Sequence, residues 1–301
     1  MATTEALKAQ IGSVQDLQSV VKTMKALAAV SIRQYEKAVE SLTDYNRTVE
    51  MGLQIALKRQ YFAGDIFIPV STLATRTPSR RTGAIVFGSD QGLCGQFNEQ
   101  IVAHVAEQLA AMNIDPQQAF VAAVGARVAP SLEANGISIE EQFSVPSSVT
   151  GITAMVRDIL LAIENWRSNQ QVDTIILFYN RSTSSASYEP HYLQLLPLDP
   201  EWLRQLEDRP WPTSAEPTFT MNWQPLFSAL IRDYLFVSLY RAFAESLASE
   251  NASRLSSMQA AEKNIRERLS DLNSQYRRGR QSAITGELLD IVAGFEALTE
   301  G

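Results

Sequence analysis

Residues 7–56 read LKAQIGSVQDLQSVVKTMKALAAVSIRQYEKAVESLTDYNRTVEMGLQIA, a stretch without proline in which every seventh residue is apolar or aromatic. This series consists of Leu7, Val14, Val21, Ala28, Tyr35, Leu42, Val49 and Ala56. A seven-residue apolar repeat is typical of a helix that packs along a coiled-coil seam. A second stripe is less regular, with Ile11, Ile32, Val39 and Leu53 on one side of the first and Leu17, Met24, Ala38 and Tyr45 on the other. The pattern predicts a long, imperfect coiled-coil helix whose seam drifts around the axis as it would on a straight helix.

Proline positions limit this helix and a second one at the other end of the chain. All 12 prolines lie between Pro69 and Pro225, so both ends lack the residue that most often breaks helices. The C-terminal end carries its own apolar stripe, at Leu247, Leu255, Met258, Ile265, Leu269, Leu272, Tyr276 and Ala283. Two such helices with one domain between them are expected to pair antiparallel. We therefore expect an N-terminal coiled-coil helix over 1–68, a central domain with a connecting segment over 69–220, and a C-terminal coiled-coil helix over 221–301.

The middle of the chain alternates apolar runs with helical patterns. Residues 83–89, 119–125 and 173–180 are predicted strands, and helices are predicted near 99–112 and 150–167. Runs that are almost wholly apolar are typical of strands covered on both faces of a parallel sheet. The predicted fold class is α/β, with a small Rossmann-like domain between the two coiled-coil helices. The segment Leu198–Pro225, rich in proline and tryptophan, is expected to be an irregular connection.

Composition excludes several classes of protein. The chain has 301 residues, 45% of them hydrophobic, and a net charge of −7, which argues for a folded protein and against nucleic acid as its main partner. The single cysteine cannot form an internal disulfide, which favours a reducing compartment. The N-terminus has no signal-peptide pattern, and no stretch is apolar for the roughly 18–20 residues that span a bilayer. We expect a cytoplasmic protein.

One loop invites a catalytic interpretation. GSDQGLCGQFN (Gly88–Asn98) follows a predicted strand and precedes a predicted helix, where α/β sheets often bind phosphate. It lacks the Lys-Ser/Thr of a P-loop and matches neither G-x-G-x-x-G nor G-x-S-x-G, so a structural turn is the leading interpretation. Nothing in the sequence pairs Cys94 with His104 or His191, and the histidines lack metal-ligand spacing. We expect no catalytic residue, cofactor or metal.

The last helix is basic along one stretch, and two interpretations stay open. Either this stretch faces an acidic protein partner, or it is a solvated helix face on which acidic residues form i,i+4 pairs, and on spacing alone the solvated face is the leading interpretation. The basic residues are Arg254, Lys263, Arg266, Arg268, Arg277, Arg278 and Arg280.

Three separated stretches together resemble the gamma subunit of F-type ATP synthases. They are VVKTMKALAAVSIR near the start, GSDQGLCGQFN in the middle, and LASENASRLSSMQAAEKN with YRRGRQSAITGELLDIVAG near the end. The resemblance covers nearly the whole chain. It implies a non-catalytic central-stalk rotor that couples ion flow through a membrane ring to ATP synthesis or hydrolysis by other subunits.

The resemblance also implies partners and contact residues. The partners are the alpha and beta subunits of the catalytic hexamer, the epsilon subunit and the membrane c-ring, so the chain is peripheral to the cytoplasmic face of a bacterial inner membrane. Met24 and Lys25 would face a beta-subunit lever, and Arg280, Gln281 and Thr285 would contact beta-subunit loops. Phe295 and Leu298 near the end suit smooth apolar contacts. A membrane-side loop is expected at Gln91, Gly92, Leu93, Cys94 and Gly95.

The chain departs from the family pattern at several points. The family usually has arginine at Gln91 and glycine at Gln96, and its first helix is commonly more basic than SVQDLQSVVKTMK. We expect a divergent bacterial member, with a second, alternate ATPase type and sodium coupling as a hypothesis. Two other classes compete: an α/β enzyme that dimerises through its long helices, and a coiled-coil scaffold. Turnover by the isolated chain would favour the enzyme, and co-purification with ring subunits would favour the rotor.

Overall fold

The computed structural model describes residues 4–63, 81–184, 187–212, 217 and 219–299, and the side chains of all of these except 59–63, 184 and 293–299. Six helices and five strands occur in these ranges. In chain order they are α1 (Thr4–Ala63), β1 (Thr82–Phe87), α2 (Phe97–Ala111), β2 (Phe120–Val124), α3 (Val128–Ala134), β3 (Ile139–Phe143), α4 (Val149–Asn169), β4 (Thr174–Ser184), β5 (Ser187–Leu196), α5 (Pro200–Asp208) and α6 (Trp223–Thr299). The chain divides into a helical unit, Met1–Ala28 with Arg254–Gly301, and a sheet unit, Ala29–Ser253.

Both ends of the chain form long helices, α1 of 60 residues and α6 of 77. Within the helical unit, Thr4 lies beside Gly279, Val14 lines a groove with Leu272, and Lys25 pairs with Glu262. As residue numbers increase along α1, the numbers of the α6 residues beside them decrease. The predicted antiparallel pairing of the terminal helices is confirmed.

The seven-residue seam of α1 is buried or half-buried at every predicted position from Leu7 to Ala56. On one side of the seam, the residues four after each seam residue form a second stripe, which continues through the half-buried polar residues Gln18, Lys25 and Asn46. On the other side, Ala38 is buried and Met24 is half-buried, whereas Leu17 and Tyr45 are 56% and 46% exposed, so the prediction holds for the first two and is wrong for the last two. The helix keeps the 3.5-residue repeat of a coiled coil instead of drifting around its axis.

The sheet unit contains a five-stranded sheet in the order β3-β2-β1-β4-β5. The first four strands are parallel and β5 runs antiparallel to β4. Alternate residues of β1 enter two separate cores: Ile85 and Phe87 pack with residues of α1, α4 and α6, and Ala84 and Val86 with α2 and α3. Helices therefore cover both faces, which explains why residues 83–87 of this central strand are all apolar.

The prediction that Leu198–Pro225 is irregular is wrong in two places. Helix α5 occupies Pro200–Asp208, and Asp199 caps it by accepting a hydrogen bond from the Glu201 amide at 2.9 Å. Pro200 lies in the first turn of this helix and Pro225 in the first turn of α6. Proline is tolerated there because first-turn amides have no intrahelical acceptor to lose. The predicted boundary between residues 68 and 69 falls outside the described residues.

Candidate functional site

The carboxylate of Asp90 links the glycine loop (Gly88–Asn98) to two neighbouring segments of the sheet unit. It accepts one hydrogen bond from the Ala126 amide at 2.7 Å and another from the Val145 amide at 2.8 Å. These two amides follow β2 and β3, so Asp90 ties together the ends of three neighbouring strands. A carboxylate is suited to this role because its two oxygens accept from two donors at once.

The first two amides of the glycine loop donate to acceptors within the protein. The Gly88 amide donates to the Val124 carbonyl at 2.8 Å, and the Ser89 amide donates to the Asn98 side-chain oxygen at 3.0 Å. A phosphate-binding loop needs several amides that point outward together. The Gly88 and Ser89 amides therefore stabilise the junction between strand β1 and helix α2.

Cys94 is buried in this junction. Its sulfur lies 3.6 Å from the Ser89 hydroxyl and 3.7 Å from the Gln91 carbonyl oxygen. Its own carbonyl accepts a hydrogen bond from Ser253, whose hydroxyl also lies 3.3 Å from the Tyr188 hydroxyl. The loop is thus fastened to α6 within the sheet unit. Leu93, by contrast, is 61% exposed with a φ of 64°.

The two histidines pack against aromatic rings. The His104 ring lies beside those of Phe178 and Tyr192, with centroids 6.3 and 6.2 Å away, and the His191 ring lies 5.3 Å from that of Tyr179. Burial lowers the pKa of both imidazoles below the usual value, and burial raises the pKa of Tyr179 to about 12. All three groups are therefore neutral at pH 7. No three His, Cys, Asp or Glu side chains in the described ranges could jointly hold a metal ion.

In the helical unit, Met24 is half-buried, and Lys25 donates to a carboxylate oxygen of Glu262 on α6. Arg266 donates to the other oxygen of Glu262 at 3.0 Å. The hydrogen bond from Lys25 is the largest of the effects that lower the pKa of Glu262. The Lys25 side chain is 35% exposed, so its ammonium lies at the edge of the helix pair.

The other predicted contact residues lie beyond the paired part of α6. Arg280, Gln281 and Thr285 are exposed, and Thr285 donates to the Gln281 carbonyl at 2.9 Å. Gln281 and Thr285 lie one helical turn apart on the same face. Because Gly279 already lies beside Thr4, the part of α1 that the structure describes does not extend alongside the rest of α6. For that reason the predicted stripe residue Ala283 is exposed.

Exposed apolar side chains mark two surfaces of the helical unit. The first, on α1, consists of Leu17, Val20 and Leu27, which are 55–63% exposed. The second, on α6, consists of Ile284, Leu288, Leu289, Ile291 and Val292, which are 48–68% exposed. Contiguous exposed apolar residues mark protein interaction surfaces in soluble chains. The side chains of Phe295 and Leu298 lie outside the described residues.

Comparison with known proteins gives the chain its family. A family model described as ATP synthase matches residues 3–298. An ATP synthase gamma chain from an Anaeromyxobacter species is 30% identical over 97% of this chain and 98% of its own length. The chain belongs to the ATP synthase gamma-chain family. Another gamma chain, from Glaesserella parasuis, is 28% identical over 99% of this chain and all of its own.

Solved structures agree with this gamma-chain assignment at the level of the fold. The central stalk with c-ring of Tetrahymena thermophila mitochondrial ATP synthase contains a chain that is 20% identical, with a TM-score of 0.56 over 80% of this chain and 99% of that one. A chain of the Euglena gracilis mitochondrial ATP synthase rotor is 14% identical, with a TM-score of 0.59 over 93% of this chain and 98% of that one. The predicted fold class is confirmed.

Membership of the gamma-chain family confirms the prediction of a central-stalk subunit of an ATP synthase that catalyses nothing itself. It rules out the α/β enzyme and the coiled-coil scaffold as interpretations. The gamma chain is a peripheral subunit of that complex. Among the described helices, none carries an apolar stretch long enough to cross a bilayer.

Sequence reasoning missed three residues that organise these sites. Asp90 holds the glycine loop, Ser253 joins that loop to α6, and Glu262 pairs with Lys25. The sequence offered a signal for the pair of Lys25 with Glu262. Lys25 stands seven residues before Ile32 and therefore lies on the stripe that faces α6. For Asp90 and Ser253 the partners lie far away in sequence, and no local pattern indicates them.

Proposed function

We propose that this gamma chain is the rotating shaft inside a hexamer of alternating alpha and beta subunits, turned by a membrane c-ring. The observation that carries the proposal is the C-terminal part of α6, which lies beyond the described part of α1. Beyond Gly279 it exposes Ile284, Leu288, Ile291 and Val292 without a covering segment among the described residues. An apolar helix end of this kind suits a ring that surrounds it and allows it to turn. Each catalytic site then meets a different face of the shaft in succession, so the shape of the shaft sets the order of catalysis.

The contact residues of this shaft fall at two levels of the helical unit. Met24 and Lys25 face a lever of the beta subunit, and Arg280, Gln281 and Thr285 contact beta-subunit loops. The exposure of the second group supports this assignment, as does the apolar surface of Leu17, Val20 and Leu27 on the same helix as the first. The basic stretch of α6 offers hydrogen-bond donors to acidic beta-subunit groups.

The glycine loop is the membrane-side contact. The surface it offers a partner consists chiefly of Gln91, Leu93 and Gly95, while Cys94 is buried and Gly92 is half-buried. An exposed leucine on a loop fastened by Asp90 is a rigid apolar contact for the epsilon subunit or the c-ring. In this arrangement residues 69–220 form the ring-side domain, between the coiled-coil helices 1–68 and 221–301, and the complex stands at the cytoplasmic face of a bacterial inner membrane. The alternate ATPase type and the identity of the coupling ion stay predictions.

Isolation of the native complex tests the proposed function. An affinity tag on the chain is expected to recover alpha, beta, epsilon and ring subunits from detergent-solubilised membranes. A bead attached to the chain in a surface-bound alpha-beta-gamma assembly is expected to rotate when MgATP is added. Recovery of the chain without these subunits, or ATP turnover by the purified chain alone, would refute the shaft.

A further inference from the structure

Glu262 lies between two cations that belong to different helices. The residue is only 8% exposed, and each of its carboxylate oxygens accepts from a separate donor. Lys25 of α1 donates to Oε2, and Arg266, one turn along α6, donates to Oε1 at 3.0 Å. The Arg266 side chain is 71% exposed and that of Lys25 is 35% exposed. One nearly buried carboxylate thus links the two helices and keeps a cation on each side.

We propose that Glu262 is a positioning residue that holds the Lys25 ammonium against α6 and thereby limits its contact with acidic groups of the surrounding subunits. This inference rests on the proposed function, because it needs a partner around the helical unit. Lys25 has two possible acceptors. Glu262 is always within reach on the same rigid helix pair, whereas an acidic group of the ring is within reach only at some rotational angles. The intramolecular acceptor therefore has the higher effective concentration.

The arrangement also keeps the free-energy cost of releasing Lys25 from Glu262 low. A buried carboxylate that loses its only counter-charge is strongly destabilised. Glu262 avoids this because Arg266 remains bound to the other oxygen when Lys25 leaves. The partial exposure of Lys25 lets its ammonium turn outward without crossing the apolar seam. Glu262 thus weakens any ion pair between Lys25 and the ring. Such an ion pair would delay the departure of the shaft from one rotational state.

The test compares Glu262→Gln with Glu267→Gln in the reconstituted alpha-beta-gamma assembly. Glu267 is exposed on the same helix, so its variant makes the same change in charge without touching Lys25. Glu262→Gln is expected to lower ATP turnover by about two- to fivefold at low salt, the ratio that one exposed ion pair supplies. Glu267→Gln is expected to leave turnover unchanged. At about 0.5 M salt the defect should disappear, because ions screen the exposed pair with the ring.

Adding Lys25→Gln to Glu262→Gln separates positioning from a merely structural role. If the freed ammonium causes the defect, the double variant recovers most of the lost turnover. Glu262→Asp keeps the charge and serves if the glutamine variant melts early; its turnover should fall between those of the wild type and Glu262→Gln. Equal loss in the single and double variants, or equal turnover in Glu262→Gln and Glu267→Gln, overturns the positioning role. Failure of the wild-type chain to form a turning assembly would instead refute the proposed function.

Discussion

Replacement of Asp90 by alanine should destabilise the sheet unit without changing its apolar cores. The carboxylate is the shared acceptor of the Ala126 and Val145 amides, at 2.7 and 2.8 Å. A hydrogen bond to a charged group contributes about 1.5–3 kcal/mol, so two such bonds amount to roughly 3–6 kcal/mol. Asp90 is half-buried, and water can reach part of the vacated space. We therefore expect a loss near the lower end, about 3 kcal/mol.

Chemical denaturation of the isolated chain, followed by circular dichroism, measures this loss as a free energy of unfolding, and thermal unfolding measures it as a change in Tm. For a domain of this size, about 3 kcal/mol corresponds to a fall in Tm of about 6–12 °C. Asp158→Ala is the matched control, because Asp158 is an exposed carboxylate on α4 and its removal makes the same change in charge. Asp90→Asn keeps one acceptor but turns an amide donor toward the second N–H, so it should also destabilise the unit. If Asp90→Ala and Asp158→Ala have the same Tm, the two hydrogen bonds accepted by Asp90 do not stabilise the junction.

Four further outcomes follow from the fold and the proposed contacts. Gln91→Ala and Cys94→Ala should leave ATP hydrolysis by the alpha-beta-gamma assembly largely intact, and a loss of about tenfold, near 1.4 kcal/mol of barrier, would contradict a membrane-side loop. Met24→Lys should lower ATP-driven ion pumping relative to hydrolysis in vesicles with near-normal melting, whereas a large melting loss with unchanged coupling would assign Met24 to the seam. Isothermal titration of the isolated chain with MgATP should detect no micromolar affinity, and such affinity would show that a nucleotide site exists. Because burial lowers the pKa of His104 and His191, their contribution to stability is present above pH 6.5 and is lost as pH falls below it; the double glutamine variant should flatten the Tm profile between pH 7 and 5, and an unchanged slope would exclude them as its source.

The long helices and the central strands were predictable because their signals are local. The seam from Leu7 to Ala56 depends only on helical periodicity, and the absence of proline before Pro69 and after Pro225 depends only on backbone chemistry. The apolar runs of β1, β2 and β4 follow from burial on both faces. The family motifs near Met24 and Gln281 are likewise contiguous in sequence, so the candidate contact residues could be named before the fold was known.

Only the tertiary structure decided which residues meet across the chain. Strands β3 and β5 lie at the edges of the sheet and carry polar residues, so neither shows the apolar run that marks a central strand. Lys25 and Glu262 form a pair although 237 positions separate them in sequence. The described part of α1 begins with Thr4 beside Gly279, so it does not pair with the rest of α6. The register between two helices depends on how their side chains interlock in space, and many registers satisfy the same seven-residue repeat. That register determines which charges face each other and which part of α6 lies beyond the described part of α1.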